Sequence, residues 1–323
     1  MTQTLVFEPT PPFRLELVVW ALRRQPHNRI DFFGDGIYRR VFVRHGRKLA
    51  VHLKQVQKDP IPRIEAQISG EIDSNESLFW IRDQLVWSLG LDRDITGFTA
   101  MAENDPLLSS LSDRFQGLRP PRFPSLFESL VNAVACQQVS LHLGIHLLVR
   151  LALACEGSDL QLEGPLPPFP TADDLLKQDF TTLRRVGFSR GKIVALRGLA
   201  EEEAFGRLDR DRWRDLPNDV AVQQLIQLRG IGRWSAEYTL LRGLGRLDVF
   251  PGDDLGARKS LENWLGAKET LDYETVENLL QRWQPYAGLV YFYLLLRRLE
   301  IQKFLPAVPM EGLEESRGGR MEE

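Results

Sequence analysis

The sequence predicts a mainly α-helical protein led by a small mixed α/β domain, and three observations point there. From Asp94 to about Leu305, apolar residues recur at helical spacing with only short breaks. Residues 13 to 70 instead alternate apolar and polar character and are enriched in β-branched side chains. Residues 228 to 254 read L-R-G-I-G-R-W-S-A-E-Y-T-L-L-R-G-L-G-R-L-D-V-F-P-G-D-D, a glycine turn between helical stretches and then a Pro/Gly break ending in paired aspartates.

Taken in order, Val41-Phe42-Val43 and Leu49-Ala50-Val51-His52-Leu53 read as strands. Gly34-Asp35-Gly36 and His45-Gly46-Arg47 supply turns, so several antiparallel strands are expected across 13 to 70. A helix from about Glu76 to Leu89 follows, with Leu78, Ile81, Leu85, Ser88 and Leu89 on its inner side. These elements make a first domain of residues 1–93, for which scaffolding is the expected role, and a helical core of 94–308. Gly164-Pro165-Leu166-Pro167-Pro168-Phe169-Pro170 is a rigid, non-helical connector inside that core. No repeat of fixed period occurs. Residues 309–323, with Glu311, Glu314, Glu315, Glu322 and Glu323, lack apolar periodicity and read as a disordered acidic tail.

Composition narrows the class. A chain of 323 residues with 43% hydrophobic and 26% charged residues suits two or three packed domains of a soluble protein. No apolar run approaches the roughly 18 residues a membrane span needs, and Met1-Thr2-Gln3-Thr4 leads no apolar stretch. A cytoplasmic protein is therefore expected. The two cysteines, Cys136 and Cys155, exclude a disulfide framework and any four-cysteine metal or iron–sulfur site. The net charge of −3 is awkward for a nucleic-acid binder. Its distribution helps: Arg229, Arg233, Arg242, Arg246, Arg258 and Lys259 gather near the glycine turn, although any one of them could simply solvate a helix face.

In the hairpin, a helical stretch Val222–Leu228 runs into Gly230-Ile231-Gly232, and a second spans Trp234–Leu244. Glycines open backbone angles closed to other residues and let the backbone approach a ligand closely. The second helix begins with free N–H groups that favour a phosphate, and Arg229 and Arg233 flank the turn. Gly230 and Gly232 thus predict a grip on a nucleic-acid backbone. After the hairpin, Asp248-Val249-Phe250-Pro251-Gly252-Asp253-Asp254 delivers two carboxylates to a helix start near Leu255, with Arg258, Leu261 and Trp264 on that helix.

With the hairpin and the spaced aspartate, the sequence resembles the helix-hairpin-helix superfamily of DNA glycosylases, in particular its alkylated-base branch. Gly117–Glu128, Cys136-Gln137-Gln138-Val139-Ser140, Phe169-Pro170-Thr171 and Leu183–Ser189 resemble further segments of the same core. The likeness covers roughly residues 10 to 300 and is strongest from 117 to 262. It implies a core of two helical subdomains, double-stranded DNA containing damaged bases as partner, no cofactor or metal, and a monomer. Asp254 matches the catalytic aspartate, whose carboxylate would stabilise positive charge on the sugar. Asp253 is expected to cap the new helix instead. Trp234 and Tyr238 lie on one helix face and match the aromatic lining of a pocket for a flipped-out base, where a cationic alkylpurine would stack; Trp20 is a further, shifted candidate. Gln137, Gln138 and Ser140 occupy the DNA-intercalating turn, with Gln138 where bacterial members carry an apolar residue. A later aromatic of the pocket falls near Leu295, with Tyr291, Phe292 and Tyr293 as substitutes.

Branches that also cut the strand carry a Schiff-base lysine two positions after the second glycine. Here Trp234 stands there, and Lys259 does not match. The resemblance therefore implies a monofunctional enzyme that excises alkylated purines of the 3-methyladenine and 7-methylguanine type. Two other readings stay open: a glycosylase for deaminated or oxidised purines, and a non-catalytic binder that kept the hairpin.

Overall fold

The computed structural model describes residues 2–72, 74–158 and 164–305; the expected tail of 309–323 lies outside them. Five strands, β1 (Thr2–Phe7), β2 (Phe32–Gly34), β3 (Ile37–Arg44), β4 (Arg47–Gln57) and β5 (Arg63–Gly70), form one antiparallel sheet in the order β1-β5-β4-β3-β2. Both anticipated turns are two-residue hairpin turns with positive φ at each residue, 53° and 71° at Asp35-Gly36 and 49° and 75° at His45-Gly46. That geometry matches the twist of the flanking strands.

Two helices pack against this sheet: α1 (Leu15–Arg23) and α2 (Asn75–Ser88). The expectation of strands throughout 13 to 70 fails at α1. Its sequence, LELVVWALR, is apolar nearly all round, so neither period stands out, and it is buried on two sides. Leu15, Val18, Val19 and Leu22 pack against the sheet, whereas Leu17, Trp20 and Ala21 join the core of the last helices. The strand β1 lies ahead of the segment in which strands were expected.

The rest is helical. The helices are α3 (Thr96–Glu103), α4 (Pro106–Arg114), α5 (Leu126–Cys136), α6 (Leu141–Cys155), α7 (Ala172–Lys177), α8 (Phe180–Val186) and α9 (Arg190–Ala204). They continue as α10 (Arg210–Trp213), α11 (Asn218–Leu225), α12 (Arg233–Arg242), α13 (Leu255–Leu265), α14 (Tyr273–Leu280) and α15 (Ala287–Ile301). One helical core joins α5 and α6 to the α7–α12 stretch; the other joins α3 and α4 to α13, α14 and α15. Helices α5 and α12 are buried along most of their length and pack on each other.

A buried ionic cluster ties the sheet to α5. Arg40 of β3 donates to Asp31 at 2.7 Å and to Glu128 of α5 at 2.6 Å, and the Tyr38 hydroxyl donates to the same Asp31 oxygen at 2.7 Å. Arg40 is only 2% exposed. Removing one member of such a cluster leaves an uncompensated charge, typically about 3–5 kcal/mol. The sheet and the helical core are held in one register at this point.

Candidate active site at the hairpin mouth

Helix α11, the turn around residues 226–232 and α12 form the hairpin. Its two glycines do different work. Gly230 has φ +83°, and a Cβ there would lie 2.6 Å from the Ala195 Cβ of α9. Gly232, the residue before α12, has φ −101° and no atom within 4 Å of a built Cβ. The first glycine is demanded by the fold, and the second leaves open space outside the turn.

Beside the hairpin lies a cleft of about 1100 Å³. Asp254 stands in its wall as the N-cap of α13. Its Oδ1 accepts from the Ala257 N–H at 2.9 Å, and its Oδ2 accepts from the Trp234 indole N–H at 3.2 Å. Both oxygens are thus fixed, and the helix start favours the negative charge. Asp253, expected to be the cap, instead pairs with Arg233, whose Nε and Nη2 lie 2.8 and 2.7 Å from its Oδ2. Asp253 lines the cleft as well, held by Arg233 of the hairpin, and the capping position falls to Asp254. Capping and exposure to the cleft turn out to be compatible.

Trp234 and Tyr238 also line the cleft, with ring centroids 5.5 Å apart and planes tilted by 31°. Tyr291 and Leu295 line it from α15, whereas Phe292 and Tyr293 are buried in the core. Trp20 does not reach it. That ring is 8% exposed, stacks on Phe304 at 6.4 Å and lies under the Arg23 guanidinium, because its face of α1 turns toward the last helices.

The turn between α5 and α6 forms another wall. Gln137 does not point outward: its amide donates to the Gly230 carbonyl at 2.7 Å and to the Ser235 hydroxyl at 2.9 Å, bracing the hairpin. Gln138 is exposed in the left-handed region with φ 54°, rare for a non-glycine residue, and so forms the tip. Ser140 caps α6 by accepting from the Leu143 N–H. Lys192 of α9, unnoticed in the sequence, donates to the carbonyls of Ala135 and Gln137 at 3.0 and 2.8 Å, where a cation complements the end of α5. Burial lowers its pKa, partly offset by Cys136.

The basic residues near the hairpin divide by burial. Arg242 is fully buried among Phe123, Phe292 and Tyr238 and donates to the Ala21 carbonyl at 2.8 Å. Arg246 is bound to Asn218 and to the Trp213 carbonyl. Arg229 and Lys259 are exposed and Arg258 is half-buried, and none of the three lines the cleft. Sequence proximity could not separate these roles because α12 is buried on nearly every side. Two arginines that sequence reading missed do line the cleft: Arg24, at the end of α1, and Arg298, on α15. Among the described residues, no group of three or more side chains could hold a metal ion.

Behind Arg233 lies a proton-sharing cluster. The guanidinium stacks 3.8 Å from the Tyr273 ring. The Tyr273 hydroxyl lies 2.7 Å from Glu237 Oε1 and 3.0 Å from Glu277 Oε1. Glu277 is exposed to water, whereas Glu237 Oε2 is buried without a hydrogen-bond partner among the described residues. Glu237 is the buried one, and burial pushes its carboxyl up to about 7.

With that geometry in place, comparison with known proteins gives the class. Residues 131–285 match the family described as the HhH-GPD superfamily base excision DNA repair protein, and the chain belongs to it. It is similar to the DNA-3-methyladenine glycosylase of Bacillus subtilis (strain 168), at 30% identity over 231 residues, 69% of this chain and 75% of that protein. A solved 3-methyladenine DNA glycosylase from Archaeoglobus fulgidus superposes with TM-score 0.76 at 26% identity, covering 94% of this chain and all 100% of that one. The Schizosaccharomyces pombe 3-methyladenine DNA glycosylase in complex with abasic DNA superposes with TM-score 0.53 at 26% identity, over 61% of this chain and 93% of that one. The mainly helical fold behind an antiparallel sheet is thus the family's own. No described helix is long and apolar enough to cross a membrane.

The glycines separate stability from grip. Gly230→Ala should cost about 1–3 kcal/mol of stability, through its positive φ and the contact with Ala195. Gly232→Thr adds an N-cap side chain in open space and should leave the melting temperature near or above that of the parent while weakening binding to duplex DNA of any sequence. Thermal melts and salt-dependent binding titrations test both, and a reversed pattern contradicts the assignment.

For Glu237, the folded protein holds the proton more tightly than the unfolded chain, whose carboxyl titrates near 4.5. Its stabilising contribution is complete below that pH and is lost as pH rises to about 7. Glu237→Gln should therefore flatten the fall in melting temperature across this window. An unchanged pH profile would place the proton elsewhere.

Proposed function

We propose that this protein is a monofunctional DNA glycosylase that takes an alkylated purine out of duplex DNA and hydrolyses its N-glycosidic bond. One observation carries the reading: a carboxylate fixed at both oxygens, in the wall of an aromatic-lined cleft beside a helix-hairpin-helix. The bacterial and yeast relatives are named for 3-methyladenine excision, in keeping with that chemistry.

The hairpin offers the free N–H groups at the start of α12 to a backbone phosphate. Gln138, exposed at its turn, is the residue placed to occupy the gap that a flipped base leaves. The base enters the cleft against Trp234 and Tyr238, where stacking stabilises it. As the C1′–N bond breaks, its electron pair goes to the base and positive charge develops on the sugar. Asp254 stabilises that charge, which costs no reorganisation because its oxygens are already held. Water then bonds to C1′ and releases a proton, leaving an abasic strand.

No lysine occupies the Trp234 position, and Lys192 serves as a donor to two carbonyls. Among the described residues, Lys192 is the one lysine in the cleft wall, and its amine is engaged by those carbonyls rather than offered to the sugar for a Schiff base. A non-catalytic DNA-binding role would leave the fixed Asp254 carboxylate without use beyond its cap.

The test is incubation with methylated genomic DNA and chromatographic identification of the released bases. Release of 3-methyladenine and 7-methylguanine, with strands intact until alkali treatment and no covalent adduct trapped by borohydride, is expected. A trapped adduct would overturn the monofunctional assignment, and no base release at all would overturn the enzymatic one.

A further inference from the structure

The cleft contains a group that stacking and charge stabilisation do not use. Arg24 is 2% exposed, at the left-handed end of α1 with φ 64°. Its Nη1 donates to the Tyr238 hydroxyl oxygen at 2.7 Å and its Nη2 to Asn132 Oδ1 at 2.6 Å; its guanidinium lies 5.2 Å from the Phe123 ring centre. Burial opposes the charge, but Tyr238, Cys136, Tyr291 and Asp31 outweigh it and raise its pKa, so Arg24 remains a cation. Burial likewise raises the pKa of Tyr238, so it remains a neutral phenol.

A phenol oxygen has one proton and accepts hydrogen bonds near the plane of its ring. With Arg24 donating on one side, the Tyr238 proton is forced to the other. Among the described residues nothing accepts it. Tyr238 itself lines the cleft together with Arg24, Trp234 and Asp254.

We infer that Arg24 is a positioning residue, which turns the Tyr238 O–H into the base pocket as a hydrogen-bond donor to an acceptor atom of the flipped-out purine. This rests on the glycosylase reading above and deepens it. Its consequence lies in the leaving group. A base already cationic takes up the C1′–N electron pair and departs neutral, needing little help. A neutral base departs with negative charge spread over its ring nitrogens and carbonyl oxygen, and a donor aimed at that acceptor stabilises it. The proton stays on Tyr238 throughout, so the step is hydrogen bonding and not proton transfer. The pocket is therefore built to accept neutral purines bearing a carbonyl acceptor as well as cationic ones.

The experiment compares single-turnover release of hypoxanthine and 7-methylguanine, each opposite cytosine in the same duplex. Both present a carbonyl oxygen, but only the second is cationic. In the parent protein both should be released. Tyr238→Phe keeps the ring and removes the donor, so both rates should fall. The ratio of hypoxanthine to 7-methylguanine release should fall by about tenfold, the effect of one hydrogen bond to a developing charge. Arg24→Met should lower that ratio in the same direction, and Arg24→Lys, which keeps a cationic donor, should restore most of it. Equal losses on both substrates in Tyr238→Phe would mean packing alone and overturn the inference, as would an unchanged ratio. A parent protein that released 7-methylguanine but no hypoxanthine would overturn it while leaving the glycosylase reading intact. Release of neither base would overturn both.

Discussion

The site depends on how one carboxylate is held at both oxygens in the wall of the cleft. Asp254 occupies the N-cap of α13, where its Oδ1 accepts from the Ala257 N–H and its Oδ2 from the Trp234 indole N–H. The same contacts that end the Pro/Gly loop also aim the side chain. Because Trp234 is the second residue of α12, the hairpin turn and the carboxylate share one rigid unit.

That unit is braced from several directions. Gln137 of the α5–α6 turn holds the Gly230 carbonyl, Ala195 of α9 packs where a Gly230 side chain would be, and Lys192 fixes the carbonyls at the end of α5. Arg233 is shared between Asp253 and the Tyr273 ring, so a phosphate approaching the hairpin meets a guanidinium already partly neutralised. The sheet domain contributes through α1, which packs on two cores and delivers Arg24 to the cleft. The first domain is therefore part of the pocket as well as a scaffold.

What the sequence made legible was local. A glycine turn, a Pro/Gly break and a carboxylate at a helix start are short-range signals, and the hairpin, the start of α13 and Asp254 could all be read from them. The turns at Asp35-Gly36 and His45-Gly46 were legible for the same reason. Contacts from distant segments were not. Arg24, Lys192 and Arg298 reach the cleft from three separate helices, and no spacing links them to Asp254. The cap expected at Asp253 falls on Asp254, because capping and exposure to the cleft had been treated as alternatives. Trp20 and Arg242 were misplaced because type and proximity do not reveal which way a helix face turns. The apolar α1 was missed because burial on two sides erases periodicity.

The central claim is that the Asp254 charge, and not its shape, drives bond cleavage. The most direct measurement is single-turnover release of 7-methylguanine by Asp254→Asn, alongside binding of the same variant to DNA carrying an abasic-site analogue. A loss of about 10²-fold or more in the rate is predicted, with binding retained; the amide oxygen can still accept from Ala257, while the lost acceptor at the Trp234 indole should cost about 1 kcal/mol of stability. Excision at the parent rate by this variant, with loss instead in Asp253→Asn, would contradict it.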